Sequence, residues 1–227
     1  MLAVRILTAV ALLAVLLPIL FLAPPIWTSI IAGGFFAFAG REWARLLGYG
    51  PRAAIVWAIA VAIACWLVAY IGKHAGYTLA TMATMFWCVI APWWLKTGLP
   101  DFQGRTRLPL AMLSVLVLAA TWWGLDAALS RGPLFLLSIL GIVWVSDVAA
   151  YFAGRALGRH KLAPRISPGK TWEGVAGAVA TTLALAWLSS RLIPISLPNF
   201  STVMFESFPA AIGFLAIAVL VMLGIVG

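Results

Sequence analysis

Charge is what this sequence lacks. Lys, Arg, Asp and Glu make up 9% of its 227 residues, while 64% are hydrophobic. A soluble domain of that composition would have too little polar surface to cover itself. Histidine and cysteine are scarce as well, two of each. Cys65 and Cys88 fall inside apolar runs, so neither a disulfide nor a thiolate metal site is expected. The alternation of apolar and polar residues that a membrane barrel requires is also missing, because the apolar runs are continuous. No repeat, low-complexity tail or extramembrane domain interrupts them. What remains is one class: an all-α, polytopic helical membrane bundle, read as a single transmembrane domain over residues 1–227.

Eight apolar runs are present, at roughly 4–22, 25–40, 53–71, 77–95, 108–125, 133–152, 173–193 and 209–227. Each approaches the ~20 residues needed to cross a bilayer core. Each must be helical, because lipid offers backbone groups no partners. The first run is of spanning length and meets Pro24-Pro25 rather than a small-residue cleavage site, so a retained helix is expected and not a signal peptide. Trp93-Trp94 ahead of Lys96 reads as an interfacial aromatic belt, and Trp122-Trp123 is a second aromatic pair.

The net charge of +9 comes from short loops between the runs. There it points to anionic headgroups, phosphorylated substrates and topology, and no nucleic-acid partner is expected. With eight spans, twelve Lys and Arg residues fall on the side of the amino terminus and three (Lys73, Arg131, Arg191) on the other. By the positive-inside rule both termini and residues 153–172 are expected in the cytoplasm. His74 and His160 then lie on opposite sides and share no metal.

The scarce polar chemistry gathers in residues 144–177. This stretch holds two of the six acids, Asp147 and Glu173, and five of the fifteen Lys and Arg residues. Asp147 follows the apolar run LFLLSILGIVWVS. A carboxylate in hydrocarbon costs at least ~2.5–3.5 kcal/mol, so it is expected to face the bundle interior or water, as a metal ligand or an orienting group. On a helix Asp147, Tyr151 and Arg155 share one face. Gly154 and Gly158 beside them leave room for a neighbouring helix or a ligand. The bland alternative is an internal ion pair between Asp147 and a basic residue such as Arg155.

Arg155, Arg159, Lys161, Arg165 and Lys170 form a cluster spaced by glycines and prolines. It reads either as a topology signal or as a set of phosphate donors. Gly169-Lys170-Thr171 looks like the end of a P-loop, but Pro164 stands where that motif needs glycine and no βαβ unit surrounds it. A local logic for phosphate survives. A helix starting near Thr171 or Trp172 would aim N–H groups and its positive dipole end at the boundary. Ser167 and Thr171 are candidate caps, and Glu173 is an acid suited to the first turn. His160 reads as a loop residue. Glu42 with Arg45, and Asp101 with Arg105, read as local ion pairs.

These residues carry a family resemblance. Ser146-Asp147, Ala150-Tyr151, Gly154-Arg155, Gly158-Arg159-His160-Lys161-Leu162-Ala163-Pro164 and Ile166-Ser167-Pro168-Gly169-Lys170-Thr171-Trp172-Glu173-Gly174 closely resemble a run in the phosphatidate cytidylyltransferases, the CDP-diacylglycerol synthases. The flanking helices resemble that family only in hydropathy and number. The resemblance implies a multi-pass enzyme of the bacterial inner membrane, commonly a homodimer. It would join CTP and phosphatidic acid, with Mg2+, to give CDP-diacylglycerol and pyrophosphate. It would make Asp147 and Lys170 catalytic, with Asp147 also a metal ligand. Tyr151, Arg155, Arg159, Lys161, Arg165, Ser167 and Thr171 would bind substrate and phosphate. The family's downstream signature opens with a Gly-Asp step and supplies the remaining metal-holding acids. It does not occur in these residues. The reading is therefore a family member cut short at Gly227, with little transfer activity expected of the 227 residues alone.

Two other functions use the same features. A transporter or flippase of an anionic solute would need an intramembrane acid and a basic vestibule. A non-catalytic membrane subunit would need only the scaffold. No paired broken helices or repeated halves support transport.

Overall fold

The computed structural model describes residues 2–98, 101, 104–164, 167–193 and 199–226. Helices dominate, as the continuous apolar runs dictate. Two compact units form: Met1–Ala83 with Asp101–Pro133, called unit 1, and Thr84–Pro100 with Leu134–Gly227, called unit 2.

Unit 1 contains α1 (Leu2–Leu22), α2 (Pro25–Leu46), α3 (Pro51–Ile71), most of α4 (Lys73–Met85) and α6 (Arg107–Leu129). Proline opens both α2 and α3, where its missing N–H costs nothing. Helix α2 outlasts the apolar run and carries Arg41, Glu42 and Arg45 to Leu46. Glu42 holds this extra turn: Arg41 pairs with it, and Arg45 Nη1 lies 3.7 Å from its Oε1. The core joins Val61 and Cys65 of α3 to Ala119 and Trp122 of α6. Trp122 Nε1 donates to the Ser29 carbonyl at 3.1 Å, and Ser29 Oγ donates to Asp126.

The fourth apolar run is not one straight α-helix. It is α4, then a π-helical turn over Phe86–Ile90, then α5 (Ala91–Thr97). Pro92 explains the break, because it removes one backbone donor and crowds the preceding turn.

Unit 2 also holds α7 (Pro133–Leu157), a two-stranded antiparallel hairpin of β1 (Lys161–Ala163) and β2 (Ser167–Thr171), then α8 (Trp172–Leu192), α9 (Phe200–Ser207) and α10 (Ala210–Val226). Its core is Val175, Ala178 and Ala186 of α8 with Ile217 and Val221 of α10, and Leu162 of the hairpin packs against it. The hairpin is a departure from the expected loop. The expected end of the sixth run near 152 also gives way, since α7 continues to Leu157. The polar connection before the last run contains α9, capped where the Asn199 side chain accepts from the Thr202 N–H at 3.0 Å.

Among the described residues five helical runs are long and apolar enough to cross a membrane: Pro51–Ile71, Lys73–Trp94, Gly104–Leu129, Pro133–Leu157 and Trp172–Leu192. Val10–Leu22 and Ala210–Met222 are shorter apolar helices. Large apolar side chains such as Phe35, Ile63, Met112, Phe152 and Leu215 stand exposed on them. That pattern suits lipid, and this is a membrane protein.

Candidate functional site

The end of α7 and the start of α8 meet through residues without bulk. A Cβ on Gly177 would lie 2.3 Å from Ala153 Cβ, and one on Gly174 would lie 2.9 Å from the Ala150 carbonyl oxygen. A Cβ on Gly154 would stand 3.0 Å from Thr171 Oγ1. The space beside Gly154 and Gly158 is therefore filled by the neighbouring helix and its cap rather than left for a ligand. Small residues at this spacing let the two backbones touch, and that contact fixes where α8 begins.

Thr171 is the N-cap of α8. It is buried, its backbone is extended, and its side-chain oxygen accepts from the Gly174 N–H at 3.2 Å. Two residues on, in the first turn of α8, Glu173 reaches back across the hairpin. Its carboxylate accepts from the His160 N–H at 3.1 and 3.2 Å and meets His160 Nδ1 at 2.6 Å. The Trp172 N–H donates to the His160 carbonyl at 2.9 Å, so His160 is held from both sides. The positive end of the α8 dipole favours the carboxylate there. His160 is thus the clasp of the hairpin, a role that its reading as a loop residue missed.

Within the hairpin, Lys161 pairs with Thr171 and Ala163 with Ser167. Five residues of β2 answer three of β1. The excess is taken up as a bulge, which Pro168 and Gly169 favour, one lacking an N–H and the other a side chain. Ser167 is a strand residue, not a helix cap.

The predicted site residues fall as follows. Asp147, Tyr151 and Arg155 are all exposed on α7, and Arg155 Nη1 donates to Tyr151 Oη at 2.9 Å. The expected shared face is present, while Asp147 itself makes no hydrogen bond or ion pair among the described residues. Its neighbour Ser146 is the buried one, and Asp147 is exposed on α7 of unit 2. An acid there needs water or a cation to be stable. Arg159 and Lys161 are exposed and form no ion pair among the described residues, whereas Lys170 is half-buried. Arg165 lies outside the described residues.

No group of three or more His, Cys, Asp and Glu residues able to hold a metal ion occurs among the described residues. A cavity of about 220 Å3 lies in unit 2 between α7 and α8, lined by Ser138, Gly141, Thr182, Ser189, Asn199 and Ser201 among others. Its lining carries no charged side chain.

Comparison with known proteins agrees with the motif. The profile of the Cytidylyltransferase family matches residues 3–227. The chain is 35% identical over 187 residues to a phosphatidate cytidylyltransferase of Pseudomonas aeruginosa, covering 79% of this chain and 67% of that protein. It is 32% identical over 211 residues to the phosphatidate cytidylyltransferase of Haemophilus influenzae, covering 83% and 72%. A shorter match to the Brucella suis enzyme reaches 51% identity over 55 residues, 24% of this chain and 20% of the relative. No solved structure matches the chain significantly.

Proposed function

The chain belongs to the Cytidylyltransferase family, and from that premise we propose that it transfers a cytidylyl group from CTP to phosphatidic acid. The products are CDP-diacylglycerol and pyrophosphate. A phosphate oxygen of phosphatidic acid attacks the α-phosphorus of CTP, and the bond to the β-phosphate oxygen breaks. Such a reaction depends on positioning and charge neutralisation more than on covalent help from the protein.

The observation that carries this reading is the hairpin. The nearest acid, Glu173, is engaged by the backbone and ring of His160, while Arg159 and Lys161 keep their charges unpaired among the described residues. Cations free of protein acids at a helix start suit phosphate oxygens. Lys170 adds charge on β2, and Arg165 is assigned to the same task from the sequence alone. Ser167 supplies a hydroxyl donor, whereas Thr171, expected to bind phosphate, is buried as the cap of α8 and serves to place the hairpin's return. Arg155 with Tyr151 extends the polar strip along α7 toward Asp147.

The described residues build no cage for a resident Mg2+. Among the described residues Asp147 is the carboxylate that could help to hold such an ion, alongside acids of the downstream signature that the resemblance implies. Bound there, magnesium would neutralise phosphate charge. The reading further places the eight-span bundle in a bacterial inner membrane as one transmembrane domain, its termini and hairpin cytoplasmic, working as a homodimer. A transporter or an inactive subunit is not favoured, given the family match.

The test is CDP-diacylglycerol formation from CTP and phosphatidic acid by the gene's full-length product in detergent micelles. Turnover lost in Lys170→Ala, with the protein still inserted and folded, supports the reading. A fully folded protein that forms no product would refute it.

A further inference from the structure

We propose that the arginine-rich end of unit 1 is a second anion site, which holds the headgroup of an anionic phospholipid with Arg107 as its anchor. Arg107 opens α6, and its guanidinium carbon lies 3.7 Å from the centroid of the Tyr49 ring, in the turn between α2 and α3. Tyr49 in turn leans on Trp57, with ring centroids 6.1 Å apart. The guanidinium is thereby fixed flat against an aromatic shelf. An arginine has five N–H donors, yet none of those on Arg107 finds an acceptor among the described residues, and its Nε is buried. The Nε donor is covered, but Arg107 as a whole is only half-buried, so its other unpartnered donors can meet an acceptor from outside the chain.

The surroundings favour an anion. Arg52 lies three residues after Tyr49 and Arg105 two residues before Arg107, both exposed and unpaired among the described residues. Glu42 is shared by Arg41 and Arg45, and Asp101 is the other acid of this end, which leaves cations in excess. A topology signal would require only mobile charges in water. A guanidinium seated on tyrosine with its donors unused is a built feature.

The chemistry also selects a lipid over a soluble phosphate. Leu46, Ile55 and Leu108 sit beside these arginines on three different helices, with 84%, 52% and 55% of their surface exposed. Charge and exposed apolar surface side by side match a ligand with a phosphate at one end and acyl chains at the other. The proposal is independent of the transfer reaction, because it concerns unit 1 alone and is read by binding.

The experiment uses the full-length gene product, purified and delipidated in detergent, with phosphatidylglycerol, phosphatidylcholine, CTP and inorganic phosphate as separate probes. Native mass spectrometry counts retained lipid, and a thermal shift reports binding. Phosphatidylglycerol should be retained and should raise the melting temperature, while phosphatidylcholine should not. Arg107→Gln should weaken phosphatidylglycerol binding about fivefold or more, and Arg191→Gln, at the far end of α8, should not. If Arg107→Gln fails to fold, the exposed Arg52→Gln provides the same comparison. Equal retention by wild type and the Arg107 or Arg52 variant would overturn the proposal. So would displacement of the lipid by CTP or inorganic phosphate, which would assign the site to a soluble anion.

Discussion

Glu42 and Glu173 are both acids beside a run of cations, and they are used in opposite ways. In unit 1 the Glu42 carboxylate is taken up by Arg41 and Arg45 on its own helix. In unit 2 the Glu173 carboxylate turns to the backbone and ring of His160, and Arg159 and Lys161 stay unpaired among the described residues. The first arrangement steadies a helix end. The second shapes a loop and leaves its charges for a partner. Two acids beside cations thus differ in what they bind, Glu42 the arginines of its own helix and Glu173 a histidine across the hairpin, which a charge count does not reveal.

The comparison can be broken most severely at the α7–α8 contact. Gly177→Leu would drive atoms into Ala153, and a loss of about 3 kcal/mol or more is expected. Gly34→Leu, on an open face of α2, should leave the melting temperature unchanged. Thermal denaturation in detergent checks both. Next in size come the site residues themselves: Asp147→Asn and Lys170→Ala should each reduce turnover by about tenfold or more with membrane insertion intact. Near-normal rates would remove them from the site. Glu173→Gln should raise the KM for CTP more than it lowers kcat, because it loosens the hairpin rather than removing a phosphate donor. Glu42→Gln should leave that KM where it was. Smallest is the cap: Thr171→Ala should cost about 1 kcal/mol of stability, and Thr171→Ser should recover most of it.

The helices were legible because lipid permits no other backbone solution and hydropathy marks their positions, though α2 and α7 outlast their apolar runs. The start of α8 was legible too, since Thr171 has the extended conformation and side-chain oxygen of a cap. The hairpin was not, because three- and five-residue strands with proline and glycine inside leave no period to read. Its clasp was hidden for another reason. His160 and Glu173 are thirteen residues apart, and only the return of β2 brings them together. The π turn at Phe86–Ile90 has its signal in Pro92, which hydropathy hides inside an apolar run. Asp126 is satisfied by Ser29 of a helix distant in sequence, a pairing that no local pattern encodes. Asp147 stood out as an acid among apolar residues, but its direction depends on which side of α7 is covered, and sequence does not encode that locally.

Equilibrium binding of CTP to the full-length gene product in nanodiscs tests the central claim most directly, by comparing wild type with the Arg159→Ala/Lys161→Ala double variant. The account predicts an affinity at least about tenfold weaker at an unchanged melting temperature, since both side chains are exposed and neither holds the fold. Equal affinity in the two proteins would contradict it.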